Sequence, residues 1–413
     1  MQGAIFMFAT DLHDEGFDAV LDNVQQRAGL HGVSLAGAYH HARDIFPHNP
    51  VRRVRFLEGG TVFFQPDPAR YAGLRIAPQV SRLAQEVDIL AELVARAERR
   101  GLAVRAWTVF LHNSTLGERH PDCAIHNAFG DPYITALCPA HPDVRAYARA
   151  LAADLAGRGV TAILAEALGY AAFDHGYHHE RSFIPLSPVV RFLLGLCFCE
   201  HCASAIGRQG VDVARLRQFT QTQLLAVLAG EPHILPDGPA TWGTLAGLAD
   251  GELGRFLIAR QAIVTSLAQE VTTAVEQAGS ARFVVMDMAG AAKGYATGQP
   301  AGDPAPASAW QDGLDLPALS RACHGIEAIG YTQDPERLRL DLDAYGQTLA
   351  PGTPLAVALR PMLPDCDTTA NLAAKVAEAR QAGVGWLDFY HYGFIQLPVL
   401  DRIREAMQEG SKV

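Results

Sequence analysis

No apolar run in this 413-residue chain approaches the about 20 residues that a membrane-spanning helix requires. The short apolar stretch at the start has no basic segment before it, and Asp11, Asp14 and Glu15 follow it, so it does not read as a secretory leader. Positive charge is also scarce. The chain has 34 Lys and Arg against 44 Asp and Glu, a formal net charge of −10. Nucleic-acid affinity rests on clustered cations, so this balance argues against a phosphate-backbone partner and leaves a small molecule as the expected one. A disulfide framework is missing as well. The seven cysteines are odd in number, and Cys123, Cys323 and Cys366 lie far apart. Such usage predicts reduced thiols and a cytoplasmic protein. No membrane partner is expected, and self-association stays open.

What is present is a core of ample size, since 49% of the residues are hydrophobic. Short β-branched or apolar runs alternate with longer segments of helical periodicity. The strands are expected at Ala4 to Phe8, Val33 to Ala38, Ala103 to Phe110, Val160 to Ala165, Phe283 to Met288, Ile326 to Tyr331, Leu355 to Leu359 and Trp386 to Tyr390. Helices are expected at Gly16 to Ala28, Val80 to Arg100, Pro142 to Gly157, Leu253 to Gly279, Asp334 to Ala350, Thr368 to Ala382 and Pro398 to Gln408. Eight such units predict a single (β/α)8 TIM barrel over residues 1–413, with a long insertion after the fourth strand at 170–253. Two doubly wound domains would be the rival architecture. They would call for a glycine-rich dinucleotide turn after the first strand, and none is there.

The insertion carries Cys197-Phe198-Cys199-Glu200-His201-Cys202, a spacing that lets three thiolates converge on one tetrahedral ion. Cys138, before the stiff Pro139, is the best fourth ligand. A closed four-thiolate site would hold structural zinc and clamp two distant loops. Buried free thiols, which behave as small hydrophobes, would be the plainer explanation.

In such a barrel, chemistry gathers at the C-terminal ends of the strands. Glu166 ends the run Thr161-Ala162-Ile163-Leu164-Ala165 and is the leading candidate for a general acid, because a carboxyl over an apolar mouth should titrate high. Asp287 and Asp388 are further strand-end acids and candidate catalytic partners, whereas Glu327 is early in its strand and is expected to face the barrel bottom or a helix. His112 and Asn113 follow the third strand and His40 and His41 the second, at the same expected rim. His112, Asn113, Tyr331 and Tyr390 are candidate substrate-binding residues, since aromatic faces suit pyranose C–H groups and polar tips suit hydroxyls. The group Asp174-His175-Gly176-Tyr177-His178-His179-Glu180 could ligate a second, catalytic metal, or form a polar lid.

Taken in order, these motifs resemble family 42 of the glycoside hydrolases, retaining β-galactosidases on a (β/α)8 barrel. Leu137-Cys138-Pro139-Ala140-His141-Pro142-Asp143-Val144-Arg145 is similar to that family's Tyr-Cys-Pro-x-x-Pro-x-x-Arg stretch, and Cys197 to Cys202 to its Cys-Tyr-Cys-x-x-Cys segment. The resemblance implies an acid/base role for Glu166 and a zinc site of Cys138, Cys197, Cys199 and Cys202. It covers roughly residues 136–216 well, and three differences stand out. Ala165 replaces the family's asparagine, Arg360 occupies the position of its seventh-strand nucleophile, and the chain carries none of its later domains. Arg360 is therefore a candidate for bidentate binding of an anionic sugar. The expected activity is that of a glycosidase-like hydrolase acting on a small glycoside or oligosaccharide. The alternatives are a non-hydrolytic carbohydrate-binding barrel and a metal-dependent lyase using the His175 to Glu180 cluster.

Overall fold

Each of the eight apolar runs pairs in parallel with its neighbours in the computed structural model, which describes residues 1–176 and 181–409. The strands are β1 (Gln2–Met7), β2 (Gly32–Tyr39), β3 (Ala103–Val109), β4 (Ala162–Glu166), β5 (Arg282–Asp287), β6 (Gly325–Ile329), β7 (Leu355–Leu359) and β8 (Trp386–Phe389). They hydrogen-bond in that order, and β1 pairs with both β2 and β8, which closes the ring into a (β/α)8 TIM barrel. Strand ends differ from the expected ones by at most two residues. Helices follow the strands and cover the barrel, so that both faces of the sheet are buried.

One expected helix is broken. Instead of running from Val80 to Arg100, the chain forms Arg82–Glu86 and then Ile89–Arg100, each with its own side-chain cap. Asp88 accepts a hydrogen bond from the Ala91 N–H at 3.1 Å, so the backbone leaves the helix at Val87 and starts again. Between β4 and β5 lie the helices Pro188–Leu194, Glu200–Gly207, Val213–Ala229 and Glu252–Ala278. The last of these packs along Pro142–Ala156 on the barrel's outside.

Register decides which side chains enter the barrel, because parallel neighbours point the same way. Arg105 and Trp107 of β3, Glu166 of β4, Glu327 of β6 and Asp388 of β8 share the inward phase. Arg105 is 3% exposed. It forms an ion pair with Asp388, contacts Glu327 Oε2 at 3.5 Å, and lies 4.9 Å from the centre of the Trp386 ring. Ser34 Oγ of β2 donates to Asp388 Oδ1 at 2.5 Å. Four strands are thus tied together across the barrel's centre. Glu327 therefore faces neither a helix nor the solvent below; it looks inward, and loss of water, with Asp388 adding to it, pushes its carboxyl well up.

A buried ion pair broken on one side leaves an uncompensated charge, which costs about 3–5 kcal/mol. Arg105→Met should lower stability by that order in urea denaturation, and adding Asp388→Leu should restore part of it. A single variant as stable as the wild type would show that the pair contributes nothing.

Candidate active site

Glu166 closes β4, and the next residue, Ala167, takes a left-handed backbone with φ of +52°. The turn does not loosen the strand, because the Glu166 and Ala167 carbonyls still accept from the N–H groups of Phe110 and Leu111 at 3.0 and 3.1 Å. The Glu166 side chain is thereby held at the C-terminal mouth of the barrel. Trp107 Nε1 donates to its Oε2 at 2.5 Å. Glu166 stays partly exposed, yet the surrounding rings strip water from it, and its carboxyl is pushed up from 4.5 to about 7, with the Trp107 bond a smaller opposing effect.

Those rings form a wall around the acid. Tyr39 at the end of β2 lies 4.7 Å from Trp107 between ring centres, Phe8 lies 5.8 Å from it in a stacked pose, and Tyr390 lies 5.9 Å from it edge-on. Tyr331 extends the wall, 5.8 Å from Tyr390. Burial raises the Tyr39, Tyr331 and Tyr390 hydroxyls, and the charge of Glu166 adds to the rise at all three. Glu166, Tyr331 and Tyr390 are thus brought together, with Tyr39 and Trp107 added. Sequence reading passed over both of the latter, although Arg105 and Trp107 at alternate positions of one strand marked an unusual inward face.

The expected partnership of Glu166 with Asp287 or Asp388 does not form, for two physical reasons. Asp287 has the outward phase of β5, where the Tyr345 hydroxyl from the helix Pro335–Thr348 donates to Oδ2 at 2.6 Å and the Ala289 N–H to Oδ1 at 3.0 Å. It caps the turn after its strand, and burial raises it to about 6. Asp388 has the inward phase but lies below the mouth, fully buried and bound to Arg105 and Ser34.

Arg360 also reaches the rim, but its fork is taken. Nε and Nη2 donate to the two oxygens of Asp365 at 2.7 and 2.6 Å, Nη1 to the Tyr295 carbonyl at 2.6 Å, and Nη2 to the Gly294 carbonyl at 3.0 Å. Its flat face lies 4.4 Å from the centre of the Tyr331 ring. The guanidinium expected to bind an anionic sugar instead fixes a ring of the aromatic wall. Asn113 is likewise committed. It caps the helix Ser114–Arg119 by accepting from the Leu116 N–H at 2.9 Å, and donates to the Gly60 carbonyl at 3.3 Å. Gly60 sits there at φ of +64°, with no room for a side chain against Asn113.

His112 stacks on His40 at 4.5 Å, and its Nδ1 lies 3.2 Å from His175 Nε2. Burial, and then the neighbouring His40, His175 and His41, lower it to about 2, so it stays neutral, and its buried Nε2 has no partner among the described residues. Tyr177, His178, His179 and Glu180 lie outside the described residues.

Away from the mouth, Cys138, Cys197, Cys199 and Cys202 are buried with their sulfurs all within 4.8 Å of one another. Cys138 Sγ lies 3.5 Å from Cys199, 3.4 Å from Cys202 and 3.8 Å from Cys197. A tetrahedron with metal–sulfur bonds of about 2.3 Å has edges of about 3.8 Å, so the four could hold a metal ion with little adjustment. Burial and the other sulfurs push the Cys138 thiol well up, so four thiolates require a cation among them. Positive charge is already near. Buried Arg260 lies 4.3 Å from the centre of the Tyr170 ring, the Tyr170 hydroxyl lies 3.2 Å from Cys202 Sγ, and two of the Arg260 nitrogens lack partners among the described residues.

No protein-family model matches the sequence, and no curated protein matches it. Solved structures similar in fold include the α-L-fucosidase isoenzyme 2 from Paenibacillus thiaminolyticus, with TM-score 0.53 and 10% identity over 99% of this chain and 49% of that one. A β-galactosidase from the psychrophilic Marinomonas ef1 gives TM-score 0.56 and 11% identity over 100% of this chain and 59% of that one. The catalytic domain of β-amylase from Paenibacillus polymyxa gives TM-score 0.51 and 10% identity over 96% and 94%. The chain thus spans about half the length of the fucosidase and 59% of the galactosidase. All three are glycosidases by name, and at this identity the likeness establishes the shared barrel.

The raised carboxyl of Glu166 makes stability fall as pH rises. Between its ordinary value of 4.5 and about 7 the folded chain binds more protons at this group than the unfolded chain does, and above that the loss is complete. Glu166→Gln should remove this slope, so that the difference in Tm between variant and wild type grows in the variant's favour from pH 4.5 to 8. Trp107→Phe removes a bond that favours the charged form and should shift the Glu166 titration further upward, read by carbon NMR of the carboxyl. A downward shift would contradict the geometry.

Proposed function

We propose that this chain is a glycosidase-like enzyme acting on a small neutral glycoside or oligosaccharide, with Glu166 as the general acid. The observation that carries the reading is a strand-end carboxyl at the barrel mouth, lifted to about 7 by an aromatic wall, so that it holds a proton near neutral pH. Partly exposed Tyr390, backed by the buried rings of Tyr39, Trp107 and Tyr331, gives an apolar surface that suits a pyranose face. A neutral sugar fits better than an anionic one, since the Arg360 fork is occupied by Asp365. The glycosidase names among the structures of like fold support the same class of chemistry, as does the ordered resemblance to family 42.

Zinc is the proposed ion of the four-cysteine site, because four thiolates in a tetrahedron suit that metal and leave no open position for water. It would be structural. The seven cysteines are unpaired, which suits the reducing cytoplasm. One observation favours a non-hydrolytic sugar-binding barrel as a second reading: neither Asp287 nor Asp388 comes to Glu166.

Product release from a panel of neutral and acidic aryl glycosides, compared between wild type and Glu166→Gln, tests the main reading. Neutral glycosides should be cleaved by the wild type, with kcat on those with poor leaving groups falling about 10²–10⁴-fold in the variant. Binding without turnover in both proteins would move the reading to the non-hydrolytic barrel. Elemental analysis should find one zinc per chain, lost together with stability in Cys199→Ser; full zinc retention by that variant would remove Cys199 from the ligand set.

A further inference from the structure

The glycosidase reading leaves Glu166 without a second carboxylate, and the hairpin that follows β2 supplies one. Arg43–Ile45 pairs antiparallel with Val54–Phe56, with Asp44 opposite Arg55. Its two faces differ sharply. Ile45, Val54 and Phe56 are exposed, whereas Asp44 and Arg55 are turned inward, and Phe46, two residues on from Asp44, is fully buried against Phe8 and Phe394 at 6.1 and 5.5 Å. Phe394 in turn lies 5.7 Å from Tyr390. Asp44 thus has the phase of a side chain that packs onto the aromatic wall.

Two further observations set it apart from a structural acid. Arg55, the cation directly across the hairpin, turns its guanidinium to Asp14. Asp44 Oδ2 is buried and has no hydrogen-bond partner among the described residues. A buried carboxylate oxygen without a partner costs stability, and a catalytic role is one of the reasons such a group is kept. The charge of Asp44 is felt by Tyr39 and Tyr390, two of the three hydroxyls that feel Glu166. The two carboxyls therefore look onto the same pair of tyrosines. Burial alone lifts Asp44, to about 6, and burial is also what lifts Glu166. Neither carboxyl raises the other, so they are not a contacting pair, and this fits the wide gap of a water-activating base better than the close one of a nucleophile.

We propose that Asp44 is the second carboxylate of the site, the base for the water that attacks the anomeric carbon. This rests on the reading of Glu166 as general acid. A proton passes from the water to Asp44 as the water oxygen forms its bond to the anomeric carbon. On the far side the glycosidic C–O bond breaks, its electron pair goes to the leaving oxygen, and that oxygen takes the proton of Glu166. Configuration at the anomeric carbon is inverted, and exchange with solvent returns a proton to Glu166 and removes one from Asp44.

The test uses the full chain and neutral aryl glycosides with one good and one poor leaving group. Asp44→Asn should lose about 10²–10⁴-fold in kcat on both, while Glu166→Gln should keep most of its rate only with the good leaving group. The acid limb of the pH profile should vanish in Asp44→Asn and the alkaline limb in Glu166→Gln. Asp44→Gly with azide should give a glycosyl azide of inverted configuration. Asp44→Asn should melt at or above the wild-type Tm, because the carboxylate has no protein partner to lose; a clear fall would overturn the assignment. So would a near wild-type kcat in Asp44→Asn beside an inactive Glu166→Gln, an outcome that spares the role of Glu166, and so would retained configuration in the wild-type product. Silence of the wild type on every glycoside would overturn both readings together.

Discussion

A guanidinium in the middle of a barrel has to be neutralised from across it, and the ion pair of Arg105 with Asp388 does this. Much of the site follows from that constraint. It holds Asp388 below the mouth, keeps Glu327 close, and ties β2 through Ser34 into the same network. Two residues above Arg105 on the same strand, and on the same inward face, Trp107 is set beneath the mouth with its N–H aimed at Glu166. A core that concentrates charge in this way uses up its carboxylates at the centre and leaves few for the rim.

That arrangement explains which parts of the molecule could be read from the sequence. The barrel was legible because eight apolar runs alternate with helical periodicity, a pattern that survives errors of a residue or two at each end. Glu166 and the four cysteines could be singled out because strand ends and tight thiol spacing are local signals, carried within a few residues of chain. Asp287 and Asp388 looked equivalent by the same local rule. What separates them is strand phase and the location of a distant tyrosine or arginine, and neither is written near them in the chain. Arg360 and Asn113 are similar cases. Their side chains were expected to meet a substrate, and they meet Asp365 and a helix N-terminus because those partners come from adjoining loops.

Asp44 lies at the opposite limit of legibility. Nothing in the run Arg43-Asp44-Ile45-Phe46 distinguishes it from a surface hairpin acid. Its interest comes from two long-range facts: the phenylalanine two residues on anchors beside Phe8, and the arginine opposite chooses another partner. Each depends on tertiary packing, which local propensity does not record.

The four-cysteine cluster has a further consequence, which lies in its connectivity. Cys138 precedes β4 in the chain and Cys197 to Cys202 follow it, so an ion bound by all four would close a loop of chain with Glu166 inside it. In such a closed loop the acid's strand is fastened at both flanks, once by the barrel ladder and once by the metal. Sequence drift in the stretch between Glu166 and Cys197 would then be absorbed without moving the carboxyl. Side chains in that stretch could then change while Glu166 kept its place at the strand end.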